Sequence, residues 1–332
     1  MSNSPKEKGI VTLYGAGGTG VNLVKAYEAR RDQDTPGNAI VKPYYIDTSR
    51  SNMDASISDT HTYLVDGTDG SGKFRRENAE EIGKRAKEIL GRFKPGNLSI
   101  IISSGSGGSG SVIAPNLARE LLDSDQTVVV VMVGDATTRL DAQNTLNTLK
   151  SYDAIVSRTG KALAVLYVQN GPKNPRKDVD THVRAVIDSL IVFASRENEE
   201  LDTKDIANLF RFDRGITTYG PQLAALTLVD AKTDLDQLGN IIAVGTLAKR
   251  DEDTQPPGTP DAQYVGYLPA DSSPVKNAQG PLHFVLSDGI FTIVSDNLSG
   301  FLKDLDKKRS GQSERTRLVS DKDTVTDGGL VL

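Results

Sequence analysis

Two glycine-rich stretches, Gly15-Ala16-Gly17-Gly18-Thr19-Gly20 and Ser104-Gly105-Ser106-Gly107-Gly108-Ser109-Gly110-Ser111, each stand between an apolar run and a helical pattern. The chemistry such a place supports is anion binding. Without a Cβ the backbone comes close to a ligand, and amides at a helix start point at it with the positive end of the helix dipole. The first stretch satisfies G-x-G-x-x-G, a dinucleotide fingerprint, and Asp47 in YYIDTS supplies an acidic residue for a ribose. A dinucleotide fold uses one such loop. Two of them at one sheet edge suit two phosphates or one triphosphate, with serine hydroxyls as added donors. No Lys-Ser or Lys-Thr follows Gly20 or Gly110, so neither is a P-loop.

Asp202 and Asp205, in Leu201-Asp202-Thr203-Lys204-Asp205, are a second chemically capable pair. By spacing alone they read as a helix N-cap and an acid at the third helical position. Cysteine is absent, which excludes disulfides and thiolate metal sites. The three histidines, His61, His182 and His283, are far apart, so a triad or transition-metal site requires long-range convergence.

The elements that must position these residues alternate through the first half. GIVTLY, AIVKPYYI, LSIIIS, TVVVVMV and ALAVLYV read as strands, with amphipathic helices near 18–31, 75–93, 111–123 and 138–158. Strands apolar on both faces and separated by helices predict a parallel sheet covered on both sides. A long helix is expected from Asp178 to Asn198 and a shorter one over DTKDIANLFRF. After Gly215, PQLAALTLVD, NIIAVGTLAK, AQYVGYL and PLHFVLS read as strands joined by polar loops, closed by a helix from Asp288 to Arg317. The last residues, SDKDTVTDGGLVL, are expected to lack fixed structure.

The 332 residues suffice for one large or two ordinary domains, and 37% hydrophobic with 25% charged is a soluble composition. A net charge of −5 argues against direct nucleic-acid binding. The longest strongly apolar run, Val128–Val133, is far short of the ~20 residues that span a bilayer. The polar start MSNSPKEKG carries no signal-peptide core, so no membrane role and a cytoplasmic location are expected.

GAGGTGVN followed by SGGSGSVIAP resembles the tubulin/FtsZ superfamily, with Ser106, Ser109 and Val112 standing where its signature loop has Gly, Thr and Gly. NTLNTLKS, DVDTHVRAVIDSL, ELDTKDIANLFRF and the terminal DGGLVL are similar to the phage tubulins of large bacteriophages. The resemblance spans the whole chain. It implies an α/β fold with a GTP-binding domain (1–177), a central helix (178–200), a catalytic loop and second domain with a smaller mixed sheet (201–287), a C-terminal helix (288–317) and an acidic tail (318–332).

For the site, the resemblance implies GTP or GDP with magnesium. Gly17, Gly18, Thr19 and Gly20 match the first phosphate loop, with Asn22 facing the nucleotide. Asp47 and Thr48 match the next loop, and Gly70, Ser71, Gly72 and Lys73 the loop near the γ-phosphate. Gly107, Gly108, Ser109, Gly110 and Ser111 match the signature loop, and Asn170 the contact to ribose or base. Asp178, Asp180 and His182 are candidates for guanine, Asp180 being preferred. Asp202 and Asp205 become catalytic groups that enter the site of a neighbouring copy. The chain is thus expected to be a self-assembling GTPase forming dynamic filaments in an infected cell, positioning phage DNA or capsids. Its longitudinal contacts are expected at the nucleotide site and the tail, where Asp321, Asp323 and Asp327 precede an apolar tip. The alternatives are an NAD(P)-dependent oxidoreductase using GAGGTG and Asp47, and a nucleotide-binding structural protein without turnover.

Overall fold

The first six strands are β1 (Ile10–Ala16), β2 (Ile40–Asp47), β3 (Thr62–Leu64), β4 (Leu98–Ser104), β5 (Val128–Asp135) and β6 (Leu163–Asn170), of which β1, β4 and β5 are apolar runs buried almost throughout. In this computed structural model the described residues are 8–29, 39–195, 200–230, 233, 238–268 and 280–323, with 311–323 as backbone. The six strands are parallel, in the order β3-β2-β1-β4-β5-β6. Strand order reverses between β1 and β4, and the crevice beyond their C-terminal ends is where open α/β sheets bind ligands. Both glycine-rich loops leave from those two strands.

Side chains alternate between the sheet's faces. Leu13, Ile100, Ile102, Val129 and Val131 pack on one face with α1 (Gly17–Glu28), α5 (Arg176–Phe193) and α6 (Thr203–Phe210). Tyr14, Ile101, Val130 and Met132 pack on the other with α2 (Ala79–Arg92), α3 (Gly110–Asp123), α4 (Arg139–Thr159) and α7 (Ile290–Asp323).

Beyond α6 come β7 (Leu223–Val229), β8 (Ile241–Ala248), β9 (Ala262–Tyr267) and β10 (Leu282–Ser287). They are mixed, as the resemblance implies: β10 runs antiparallel to β7 and β8, and β9 parallel to β8. They also continue the first sheet, because β7 pairs with β6 from Leu163↔Leu223 to Val165↔Ala225. One ten-stranded sheet results.

Several helix boundaries differ from the sequence expectation: the first helix ends at Glu28 and α2 starts only at Ala79. The central helix starts at Arg176, where Pro175 presets the entry, and ends at Phe193. The C-terminal helix starts at Ile290 after Gly289, whose φ is 81°, and runs to Asp323. Nothing between Gly311 and Asp323 is a strong breaker, so the helix passes the expected stop at Arg317. Asp321 and Asp323 therefore belong to α7, not to a tail. Asp327 and the Leu330-Val331-Leu332 tip lie outside the described residues.

Candidate functional site

The starts of α1 and α3 meet at the β1–β4 crevice, backbone against backbone. Gly17 has φ 67°, and a Cβ there would lie 2.6 Å from the Gly110 nitrogen; one on Gly110 would lie 2.5 Å from the Ala16 carbonyl oxygen. A Cβ on Gly20 would sit 2.1 Å from the Ile102 oxygen. These glycines are thus required by packing between the loops and the sheet, as well as by any ligand. Two helix starts come side by side as a result. The backbone N–H groups of Gly18, Thr19, Gly108, Ser109 and Gly110 donate to no acceptor among the described residues. Together with both helix dipoles they form a cradle for anionic oxygens.

A ring of hydroxyls surrounds it. Ser109 makes no helix cap. Its Oγ is 2.5 Å from Thr48 Oγ1 and 3.0 Å from Ser71 Oγ, which ties three loops together. A Cβ on Gly108 would be 2.5 Å from Ser71 Cβ, and one on Gly18 would be 2.8 Å from the Asn52 amide. Ser111 is buried and donates to the Gly108 carbonyl, bracing the signature loop from beneath. Ser104 Oγ accepts from Ser106 N and Gly107 N, so the Gly/Ser composition is ordered here.

Asp47 lies under this ring, 2% exposed. Its oxygens accept from Thr48 N at 2.7 Å and Asn52 Nδ2 at 2.9 Å, and burial pushes the carboxyl above its ordinary range. A carboxylate engaged in this way orders its own loop. It is withdrawn from the ribose contact that a dinucleotide site would ask of it.

The Gly70-Ser71-Gly72-Lys73 loop closes one side. Gly70, Gly72 and Lys73 have φ of 75°, 49° and 68°. Lys73 Nζ is 2.7 Å from Asp141 Oδ1 on α4, so its charge is shared with a buried carboxylate. On the other side, Asn170 ends β6 in register with Asp135, and its Oδ1 is a buried acceptor with no partner among the described residues. Asn22 is exposed on α1, one turn beyond Gly18. Asp180 is half-buried and 3.9 Å from Arg176, whereas Asp178 and His182 are exposed near the start of α5.

Asp202 and Asp205 stand apart from this cradle. Asp202 Oδ1 accepts from Lys204 N and Asp205 N, and Asp205 Oδ2 accepts from Asp202 N: a complete capping box. The 18-residue α5 starts near the C-terminal end of β6 and covers about 27 Å along its axis. Just beyond its end, Ser195 accepts from Gly9 N at the entry to β1. After α6, Arg211 reaches Asp125 and Asp213 receives Ala162 N, at the entries to β5 and β6. The acidic pair thus lies toward the ends of the strands opposite the glycine loops. One molecule does not bring them together.

Several positioning residues escaped the sequence reading. Arg75 threads under α3, with Nε 3.2 Å from Ser111 Oγ and a terminal nitrogen 3.0 Å from Ser151 Oγ. Asn78 Nδ2 donates to the Gly70 carbonyl at 2.7 Å. The α4 helix contributes Asp141, Asn144, Thr145 and Thr148, all buried. Their helical spacing in DAQNTLNTLKS was a legible signal: a polar stripe repeating every three or four residues beside an apolar one. No group of three or more His, Cys, Asp or Glu fit to hold a metal occurs among the described residues. Donors without acceptors in the cradle and the orphaned Asn170 oxygen fit a phosphorylated nucleoside.

A family profile described as phage tubulin-like protein, C-terminal domain, matches residues 201–290, a span that includes Asp202 and Asp205. The phage tubulin-like protein of Pseudomonas phage PhiPA3 is 26% identical over 320 residues, covering 96% of this chain and 98% of that one. A protofilament of TubZ from bacteriophage PhiKZ matches in structure with a TM-score of 0.77 at 22% identity, over 97% of this chain and 95% of that one. The phage tubulin PhuZ with GDP matches with a TM-score of 0.78 at 21% identity and the same coverage. Along nearly its whole length, then, the chain is similar to the phage tubulin-like proteins and shares the fold of the phage tubulin structures.

Proposed function

We propose that the protein is a GTP-dependent, self-assembling filament subunit whose hydrolytic site is completed between two copies. The observation that carries this is the separation just described: an anion cradle beyond the C-terminal ends of β1 and β4, and toward the opposite ends of the strands an acidic capping box with Asp202 exposed and Asp205 half-buried. Head-to-tail stacking puts one against the next, and a heterologous contact of that kind propagates as a filament. In this reading the amides of α1 and α3 hold the phosphates, the Gly70–Lys73 loop lies at the terminal one, and Asn170 and Asp180 face the nucleoside. Magnesium, when bound, neutralises phosphate charge. Asp202 and Asp205 of the adjoining copy orient water toward the terminal phosphoryl group. Positioning and electrostatics supply the acceleration, as in phosphoryl transfer generally.

The relatives support this reading: one matched structure is a protofilament and another contains GDP. The oxidoreductase alternative loses its ribose acid, since Asp47 is buried and paired. No helix among the described residues is long and apolar enough to cross a membrane. We place the filament in the host cytoplasm during infection, where it moves or positions phage DNA or capsids, with the C-terminal segment as a second contact between copies.

Turnover tests the proposal. Asp205→Ala is expected to bind GTP and assemble while releasing phosphate at least ~10-fold more slowly; Asp202→Ala should behave similarly, with an added stability cost of about 1 kcal/mol from the lost N-cap. Activity per molecule of the parent protein should rise with concentration. Parent-rate turnover by Asp205→Ala, or full activity at dilutions where only monomer exists, would overturn it.

A further inference from the structure

The buried polar stripe on α4 bears on the cradle directly. Asn144 is 5% exposed, and its Nδ2 donates to the Lys73 carbonyl at 2.8 Å and to the Ser106 carbonyl at 3.0 Å. An amide nitrogen carries two hydrogens, and here each goes to a different loop. One turn further on, Thr148 is also buried but reaches a single loop, through the Gly105 carbonyl at 2.8 Å. The loop that Asn144 holds is under backbone strain. Lys73 has a Cβ and yet φ of 68°, a left-handed conformation that costs roughly 1 kcal/mol or more and persists only where surroundings enforce it. The N–H groups of Ser71, Gly72 and Lys73 have no acceptor among the described residues.

We propose that Asn144 is a positioning residue that sets the spacing between the Gly70–Lys73 loop and the Gly/Ser loop, and thereby the preference for a nucleoside triphosphate over a diphosphate. This rests on the nucleotide reading above. A phosphate chain that reaches only the starts of α1 and α3 uses amides fixed by the sheet and by Gly17–Gly110 packing. A chain one phosphate longer also meets the amides of Ser71, Gly72 and Lys73, whose position depends on α4. With Asn144 lost, the Lys73 carbonyl is left without that donor and the strained loop relaxes away from the cradle. Asp141 supports the same loop by its ion pair to Lys73.

The test compares Asn144→Asp, which keeps the shape and removes both donors, with Thr148→Val. Affinities for GDP and for a slowly hydrolysed GTP analogue are measured by fluorescence titration at low protein concentration, with thermal unfolding alongside. In Asn144→Asp the triphosphate-over-diphosphate affinity ratio is expected to fall about tenfold or more, the loss of a charge-directed hydrogen bond, with GDP affinity within about twofold of the parent. Thr148→Val is expected to weaken both nucleotides alike. Should Asn144→Asp fail to fold, Asn144→Ser, which retains one donor, reads out the same ratio. A parent-like ratio in the Asn144 variants, or an equal change of ratio in Thr148→Val, would overturn the proposal. A parent protein that binds neither nucleotide would overturn the nucleotide reading itself, and this inference with it.

Discussion

Gly108 shows how a single missing Cβ is used in this chain. A methyl group there would meet Ser71 Cβ at 2.5 Å and the Lys73 backbone at 3.2 Å, so the Gly/Ser loop and the Gly70–Lys73 loop would be forced apart. Gly108→Val is expected to weaken nucleotide binding at least ~10-fold, with secondary structure retained because the clash lies between two loops and not in the core. Gly91, in α2, is the internal comparison: a Cβ there meets nothing within 4 Å, and its φ is not positive. Gly91→Ala should raise stability by ~0.5–1 kcal/mol and leave nucleotide affinity unchanged. Titration with a fluorescent nucleotide and chemical unfolding of both variants check the contrast. The glycines themselves were legible as a pair of amide-rich turns. Their partners were not, since Gly108 and Ser71 meet across a separation that no local pattern encodes.

Among the elements, two ion-pair groups differ sharply in what they contribute. Arg211 is 2% exposed; it grips Asp213 with two bonds of 3.0 and 2.9 Å and reaches Asp125 at 3.0 Å. Asp213 also accepts from Ala162 N, so the segment after α6 is pinned to the loops before β5 and β6. Arg211→Ala leaves the enclosed Asp213 carboxylate without its counter-ion, and is expected to cost about 3 kcal/mol. Arg139 and Asp306 also form a two-bonded pair, joining α4 to α7, but both are half-exposed. Arg139→Ala should cost under about 1 kcal/mol, and urea unfolding of both variants measures the difference. In β10, His283 is buried and its Nδ1 lies 2.9 Å from Thr246 Oγ1. Thr246 Oγ1 also accepts from Gln263 Nε2 at 3.1 Å. Burial lowers the His283 pKa against a weaker opposing pull from Asp253. The folded chain therefore resists a proton that the unfolded chain takes up. Stability from this site is complete above about pH 6.5 and declines as pH falls below it. Unfolding free energies between pH 7 and 5 should show that slope, reduced in His283→Gln.

For the whole molecule, the continuous ten-stranded sheet matters because it holds cradle and acidic pair at a set separation toward opposite ends of its strands. A filament of such units depends on every contact between copies. The C-terminal segment is proposed as one of them, and α7 continues into it as far as Asp323. Phe301–Arg317 contains six Lys or Arg against three Asp or Glu, while Asp321, Asp323 and Asp327 follow. Deleting 324–332, or changing those three aspartates together to Asn, should raise the critical concentration for assembly without altering monomer nucleotide affinity. The charged part should weaken with salt, as the Debye length near 8 Å at physiological strength shortens. Pelleting across a salt series measures this, and assembly at the parent concentration would remove the segment from the interface.

Sequence alone determined the kind of each element and where the glycine-rich turns fall. Continuous Val/Ile runs cannot be solvated on either face, so β1, β4, β5 and β6 had to be interior parallel strands. Glycine before a helix and the Asp202–Asp205 spacing are readable because steric freedom and capping act within a few residues. Tertiary structure alone decided which loops touch, that Asp47 is enclosed, that Asn144 holds both Lys73 and Ser106, and that β7 extends the sheet from β6. It also decided that Asp202 and Asp205 lie away from the cradle. Those outcomes follow from strand order, which is set when many residues far apart in sequence bury both faces of the sheet together. No single segment carries that information.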